Sequence, residues 1–136
     1  MIVIDASSMV RYLLHEEGWS RVAEHLRRGP LLSVDHLLKE CGNAIWRHAY
    51  LCGAIDAGLA RKLFRRLLRA VEAGVIMLEH EAAYLDEALR ISLEHGIALY
   101  DNIYVAQALK AGALLTSDER QAEAAERAGA EVHFIE

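Results

Sequence analysis

Short β-branched runs alternate with helix-length amphipathic stretches along the whole chain. Apolar runs at Met1–Ile4, Leu31–Val34, Val75–Leu78, Ala113–Leu115 and Val132–Ile135 each have the length of a short buried strand. Between them apolar positions recur every three to four residues, which predicts helices over about 8–15, 19–28, 36–52, 56–73, 81–95, 101–111 and 119–128. Gly29-Pro30 breaks the chain before the second run, and Gly53, Gly74, Gly96, Gly112 and Gly129 stand where helices should end. Strands alternating with helices predict the α/β class: one doubly wound domain over residues 1–136, with a mostly parallel central sheet of about four or five strands flanked by helices. The helices 36–52 and 56–73 form a hairpin inserted between the second and third strands, a larger excursion than a crossover needs.

Composition narrows the class. The chain has 136 residues, 54% hydrophobic and 26% charged, with one proline, which excludes disorder and suits a core that needs no disulfide. No apolar run approaches the ~18–20 residues of a membrane span, and MIVIDASS lacks the basic start of a signal peptide, so a cytoplasmic protein is expected. Cys41 and Cys52 fall eleven residues apart in one predicted helix, which puts both thiols on one face as buried core residues. With no CxxC pair and scattered histidines, zinc is not indicated. Net charge is −5 and unevenly spread: ten Lys/Arg against seven Asp/Glu in residues 1–68, five against thirteen in residues 69–136. Such a chain does not coat nucleic acid indiscriminately, yet a local basic strip can still engage it. Arg61, Arg65 and Arg69 supply one, at i, i+4 and i+8 beside an apolar stripe, and read equally as a solvated face or as a surface for RNA or a partner.

Ligands of parallel α/β sheets collect outside the carboxyl ends of the strands, and acids cluster there. Asp5 ends the first strand and Asp118 follows the fourth; Glu40 lies early in the helix after the second strand, and Asp101 opens the helix that leads into the fourth. Each has an ordinary reading as well. Asp5, Asp101 and Asp118 stand where helix N-caps belong, and Glu40 can pair with Lys39 or Arg47. The segments DASSMV, LLKECGNAIWR, LYDNIYVAQA and LLTSDERQAEAAERAG, in this order, resemble the acidic motifs of PIN-domain nucleases, most closely the compact VapC type, the toxin half of toxin–antitoxin pairs.

That resemblance spans essentially the whole chain and implies a PIN-like fold. By position it makes Asp5, Glu40, Asp101 and Asp118 the metal-binding and catalytic acids, supported by Ser7, Asn43 and Thr116. Asn102 and Gln121 depart from it, standing where alanine and an apolar residue are more common. An all-carboxylate set suits Mg²⁺ or Mn²⁺, and the implied chemistry is metal-assisted phosphodiester hydrolysis. The resemblance further implies an RNA substrate, a homodimer and a small antitoxin protein. Two other readings stand beside it: a catalytically silent PIN-like binding module, and a PIN nuclease of RNA processing that has no antitoxin. A haloacid-dehalogenase-type phosphatase would want a second aspartate where Ser7 stands, and a receiver domain would want one closing the third strand.

Overall fold

The computed structural model describes all of residues 1–136. Five parallel strands, β1 (Ile2–Ile4), β2 (Leu31–Val34), β3 (Ile76–Glu79), β4 (Ala113–Thr116) and β5 (Glu131–Phe134), form one sheet in the order β3-β2-β1-β4-β5. Each lies within one residue of its predicted run. The sheet grows one way from β1 through β2 to β3 and the other way through β4 to β5, so the carboxyl ends of β1 and β4 flank its switch point. The backbone ladder continues past β1 as the Asp5 N–H donates to the Leu115 carbonyl, 3.2 Å.

Seven helices cover the two faces. α1 (Ala6–Leu14), α2 (Trp19–Arg28), α3 (His36–Trp46) and α4 (Ala57–Glu72) pack together on one side; α5 (Leu85–His95), α6 (Leu99–Ala111) and α7 (Glu119–Ala128) pack on the other. The α3–α4 hairpin is the insertion expected between β2 and β3. Its helices approach closely at Gly42, where an added Cβ would stand 3.1 Å from the Phe64 ring. The helix α6 is buried on every side from Asn102 to Ala108, as a helix without a polar face must be. Its Gln107 amide nitrogen donates to the Ser33 carbonyl (2.8 Å) and to Glu79 Oε1 (3.0 Å), so its donors have partners in β2 and β3, while its Oε1 is buried without one.

Several local expectations fail, each for a physical reason. The helix predicted over 36–52 changes at Trp46 into a π-helical turn over Arg47–Leu51. The wider turn rotates the next residues away from the core, so Cys41 is buried while Cys52 is exposed. The helix predicted over 81–95 begins as a 3₁₀ turn, Glu81–Tyr84. The helix predicted from Asp101 begins at Leu99 with Ala98 as its N-cap, so the Asp101 side chain is not a cap. Gly112 closes the same helix at φ +136, and there a Cβ would come within 3.4 Å of the Met1 carbonyl.

Candidate active site

Asp5 is the innermost of the four acids. It leaves β1 fully buried, at 0% exposure, and caps α1 by accepting from the Ser8 N–H at 3.0 Å. The Ser7 hydroxyl donates to its Oδ1 at 2.7 Å, and the Thr116 hydroxyl donates to its Oδ2. Burial pushes its pKa up to about 6 against the pull of the Thr116, Ser8 and Ser7 hydrogen bonds, and the charge of Asp118 adds to the rise. The hydroxyl ring continues: the Ser117 N–H donates to Ser7 Oγ at 2.8 Å, and the Ser8 and Ser117 hydroxyls meet at 2.9 Å. These contacts join the start of α1 to the end of β4.

Asp118 caps α7 by accepting from the Gln121 N–H at 3.1 Å, and its own N–H donates to Thr116 Oγ1 at 3.1 Å. The spacing predicts a capping box, in which the Gln121 side chain would return to the cap. Instead that amide donates 2.9 Å to the backbone carbonyl of Asp101 and fastens α7 to the first turn of α6. Glu40, on α3 across the cleft, accepts from the Tyr104 hydroxyl of α6 at 2.6 Å, a bond between the two helical layers. Burial raises the pKa of Glu40, the Tyr104 bond opposes the rise, and the charge of Asp101 adds to it. Asp101 is likewise raised, by burial first and then by Asp118, with Arg120 and His36 pulling the other way.

The acids therefore couple in adjacent pairs, Asp5 with Asp118, Asp118 with Asp101, and Asp101 with Glu40. No three His, Cys, Asp or Glu side chains close around a single point. A hard divalent cation fits this open set. Every donor is an oxygen, and Mg²⁺ takes one or two carboxylates directly while keeping several waters, so a closed cage is not what it needs.

A cleft of about 650 Å³ opens beside the acids, lined by Ser7, Glu40, Asn43 and Ser117 together with three cations, Arg11, Lys39 and Arg47. Asn43 lies one turn beyond Glu40 and is solvent-exposed. The predicted basic stripe is elsewhere. Arg61 and Arg65 line a second groove of about 630 Å³ between α3 and α4, floored by Ile45, Trp46, Tyr50 and Phe64, and Arg69 is exposed one turn further on. The structure thus brings Asp5, Ser7, Thr116 and Asp118 into hydrogen-bonded contact, sets Glu40 and Asp101 beside them, and leaves Arg61, Arg65 and Arg69 outside the acidic cleft.

Sequence reasoning misses five contributors. Tyr104 reads as part of the apolar face of α6, and Gln121 as a departure; Ser8 and Ser117 carry no pattern at all. His36, buried with its ring 3.5 Å from Glu40, is one of seven scattered histidines. Only the i+3 spacing of Asp101 and Tyr104 offers a signal.

Comparison with known proteins agrees with this geometry. Residues 2–127 match the family model described as PIN domain. Two proteins of Pyrobaculum aerophilum are each 30% identical to this chain. One, called Exonuclease VapC9, aligns over 88% of this chain and 80% of its own length. The other, called Ribonuclease VapC3, aligns over 90% of this chain and 92% of its own. The fold is similar to the crystal structure of PAE2754 from the same organism, with a TM-score of 0.72 over 96% of this chain and 87% of that one, at 24% identity.

Proposed function

Because the chain belongs to the PIN-domain family, and to its VapC type, we propose that it is a metal-dependent endoribonuclease that hydrolyses RNA phosphodiester bonds, acting as the toxin of a toxin–antitoxin pair. One observation carries the reading: four acids from four separate segments, three with pKa values raised by burial, couple at the switch point of the sheet. Burying carboxylates against one another costs stability, and a cation is the partner that offsets it.

Asp5, Glu40 and Asp101 would hold the principal Mg²⁺ or Mn²⁺ ion, with Asp118 shared toward a second. When bound, the ion polarises water and offsets charge on the phosphodiester. The chain's own groups do the rest. Thr116 and Ser7 fix the rotamer of Asp5, and Tyr104 fixes Glu40. Glu40, its pKa raised by burial, is suited to take a proton from the attacking water, a role Asp118 also has the position to fill. Arg47 and Lys39, the latter in an exposed pair with Glu81, give the RNA backbone its cationic wall, while Arg11 is held by the carbonyl of Glu136.

The apolar floor of the second groove favours a protein partner over RNA for Arg61 and Arg65, and the antitoxin is the partner we assign to it. A second copy of the chain completes the partner set. No helix is long and apolar enough to cross a membrane, which is compatible with a cytoplasmic site of action.

A circular single-stranded RNA tests the reading, since it has no ends for an exonuclease. Mg²⁺ or Mn²⁺ should linearise and then fragment it, chelator should stop the reaction, and Zn²⁺ should support it poorly. Asp101→Asn should abolish cutting while raising apo stability at pH 7, because burial first and the charge of Asp118 second raise the pKa of this carboxyl and so penalise its ionised form. Intact circles alongside degraded linear RNA would point to exonuclease action. Binding without any cleavage would identify a silent binding module.

A further inference from the structure

The acids account for hydrolysis, but not for the aromatic side chain beside them. Tyr100 precedes Asp101 in the first turn of α6, lines the same cleft as Glu40 and is 62% exposed. A single exposed tyrosine needs no explanation. The setting of this one does. His36 stacks against it, with ring centroids 5.2 Å apart and planes 16° from parallel, the offset arrangement that aromatic pairs prefer. The imidazole is only 7% exposed and stands between two carboxylates, with Nε2 3.5 Å from Glu40 and Nδ1 3.8 Å from Glu81. Tyr100 therefore has one face braced by a buried ring while most of its surface stays open. A side chain with two χ angles, already braced, loses little further entropy when a planar group settles on it. Lys39 and Arg47 line the same cleft and suit a phosphate backbone.

We infer that Tyr100, backed by His36, is the stacking platform for a nucleobase of a single-stranded substrate, at a nucleotide adjoining the phosphodiester held by the acids. The inference rests on the ribonuclease reading of the acidic cleft. Stacking tolerates every base, since each has a π-face, so the preference at this position tracks stacking strength and favours purines. A base paired within a duplex is withheld from the platform, and single strands are selected for that reason.

The test uses the full chain and a single-stranded oligoribonucleotide with one cleavage site, carrying 2-aminopurine at each flanking nucleotide in turn. Tyr100→Leu should raise KM about tenfold, within the range of one base–aromatic stack, and leave kcat within about twofold. Tyr100→Phe, which keeps the ring, should behave as wild type. In the Asp101→Asn background, which holds the oligonucleotide uncut, 2-aminopurine emission should fall on binding at one flanking position, and Tyr100→Leu should remove that quench. An abasic nucleotide there should weaken wild type to the level of Tyr100→Leu and leave the variant unchanged. If wild type cleaves while Tyr100→Leu keeps its KM and its quench, the platform is overturned and the ribonuclease reading survives. A wild type that neither binds nor cuts RNA with any divalent ion overturns both.

Discussion

Asp5 is held by three hydrogen bonds and still titrates near 6, because full burial outweighs them. That shift sets the sign of its effect on stability. Its folded pKa lies above the ordinary value of 3.8, so the native state binds the extra proton between about pH 4 and 6. The stability this carboxyl contributes is complete below pH ~4 and is lost as pH rises through 6, a swing of at most about 3 kcal/mol. Asp5→Asn removes the titration and keeps an oxygen to accept from the Ser8 N–H. Urea unfolding from pH 4 to 7.5 should show the variant gaining on wild type across that window. Parallel profiles would mean that Asp5 is no more strained than a surface acid. At this scale the position of an acid is legible in the sequence, since Asp5 comes directly after an apolar run and Asp118 three residues after the end of one. Their partners are not. Thr116 and Ser7 lie more than a hundred residues apart and both meet Asp5, and nothing local to either segment encodes such a contact.

Secondary elements explain the two departures from the family pattern. Gln121 ties α7 to α6, and Asn102 does comparable service within the second layer of helices. Asn102 is fully buried in α6, and its amide donates to the Ser92 hydroxyl at 2.8 Å and to the Gly96 carbonyl at 3.2 Å. Those bonds pin the loop in which Ile97, a β-branched residue, sits at φ +55, a costly conformation that only its surroundings can enforce. Asn102→Ala should lower stability by about 1–2 kcal/mol, read by chemical denaturation, and loosen the N-terminus of α6, where Tyr100 and Asp101 lie. Element positions themselves are readable because apolar period is a local property. The π turn at Arg47 is not, since a helix that changes its pitch keeps the same apolar letters. Basic stripes pose the same difficulty, as period shows that Arg61, Arg65 and Arg69 share a face but not what that face looks toward. Replacing Lys39 and Arg47 by Gln should lower the salt slope of RNA binding by about 1.4, or 0.7 for each phosphate no longer neutralised. The triple change of Arg61, Arg65 and Arg69 to Gln should leave that slope alone. The reverse outcome would move the RNA to the second groove.

For the whole molecule, sequence leaves open which surfaces stay uncovered. Met9 and Leu13 are core, whereas the equally apolar Trp46 is 48% exposed. On α5, Leu85, Leu89 and Leu93 recur every four residues and remain exposed, Leu93 at 79%. The charges alongside are already satisfied within the helix, Arg90 pairing with both Glu87 and Glu94. A homodimer that meets along α5 would bury this stripe. Leu89→Glu with Leu93→Glu should halve the mass seen by light scattering and leave the circular dichroism unchanged. A wild type that is monomeric at high concentration would remove the dimer from the proposal. Metal binding should also register globally: Mg²⁺ should raise the melting temperature of wild type more than that of Asp101→Asn, because a ligand stabilises only the state that binds it.

The pairing of β1 with β4 has a consequence in time. Asp5 is synthesised well ahead of the Thr116 hydroxyl that orients it and the Asp118 charge beside it, which come more than a hundred residues later. Contacts of such separation form late, after the loop between them has closed. A growing chain therefore carries Asp5 and Glu40 for some time before the β4 edge that completes the site has been made. Chains released early, before β4, should fold in part but lack the assembled cluster of acids. The nuclease activity proposed for this site then arises only once β4 has been made and has paired with β1.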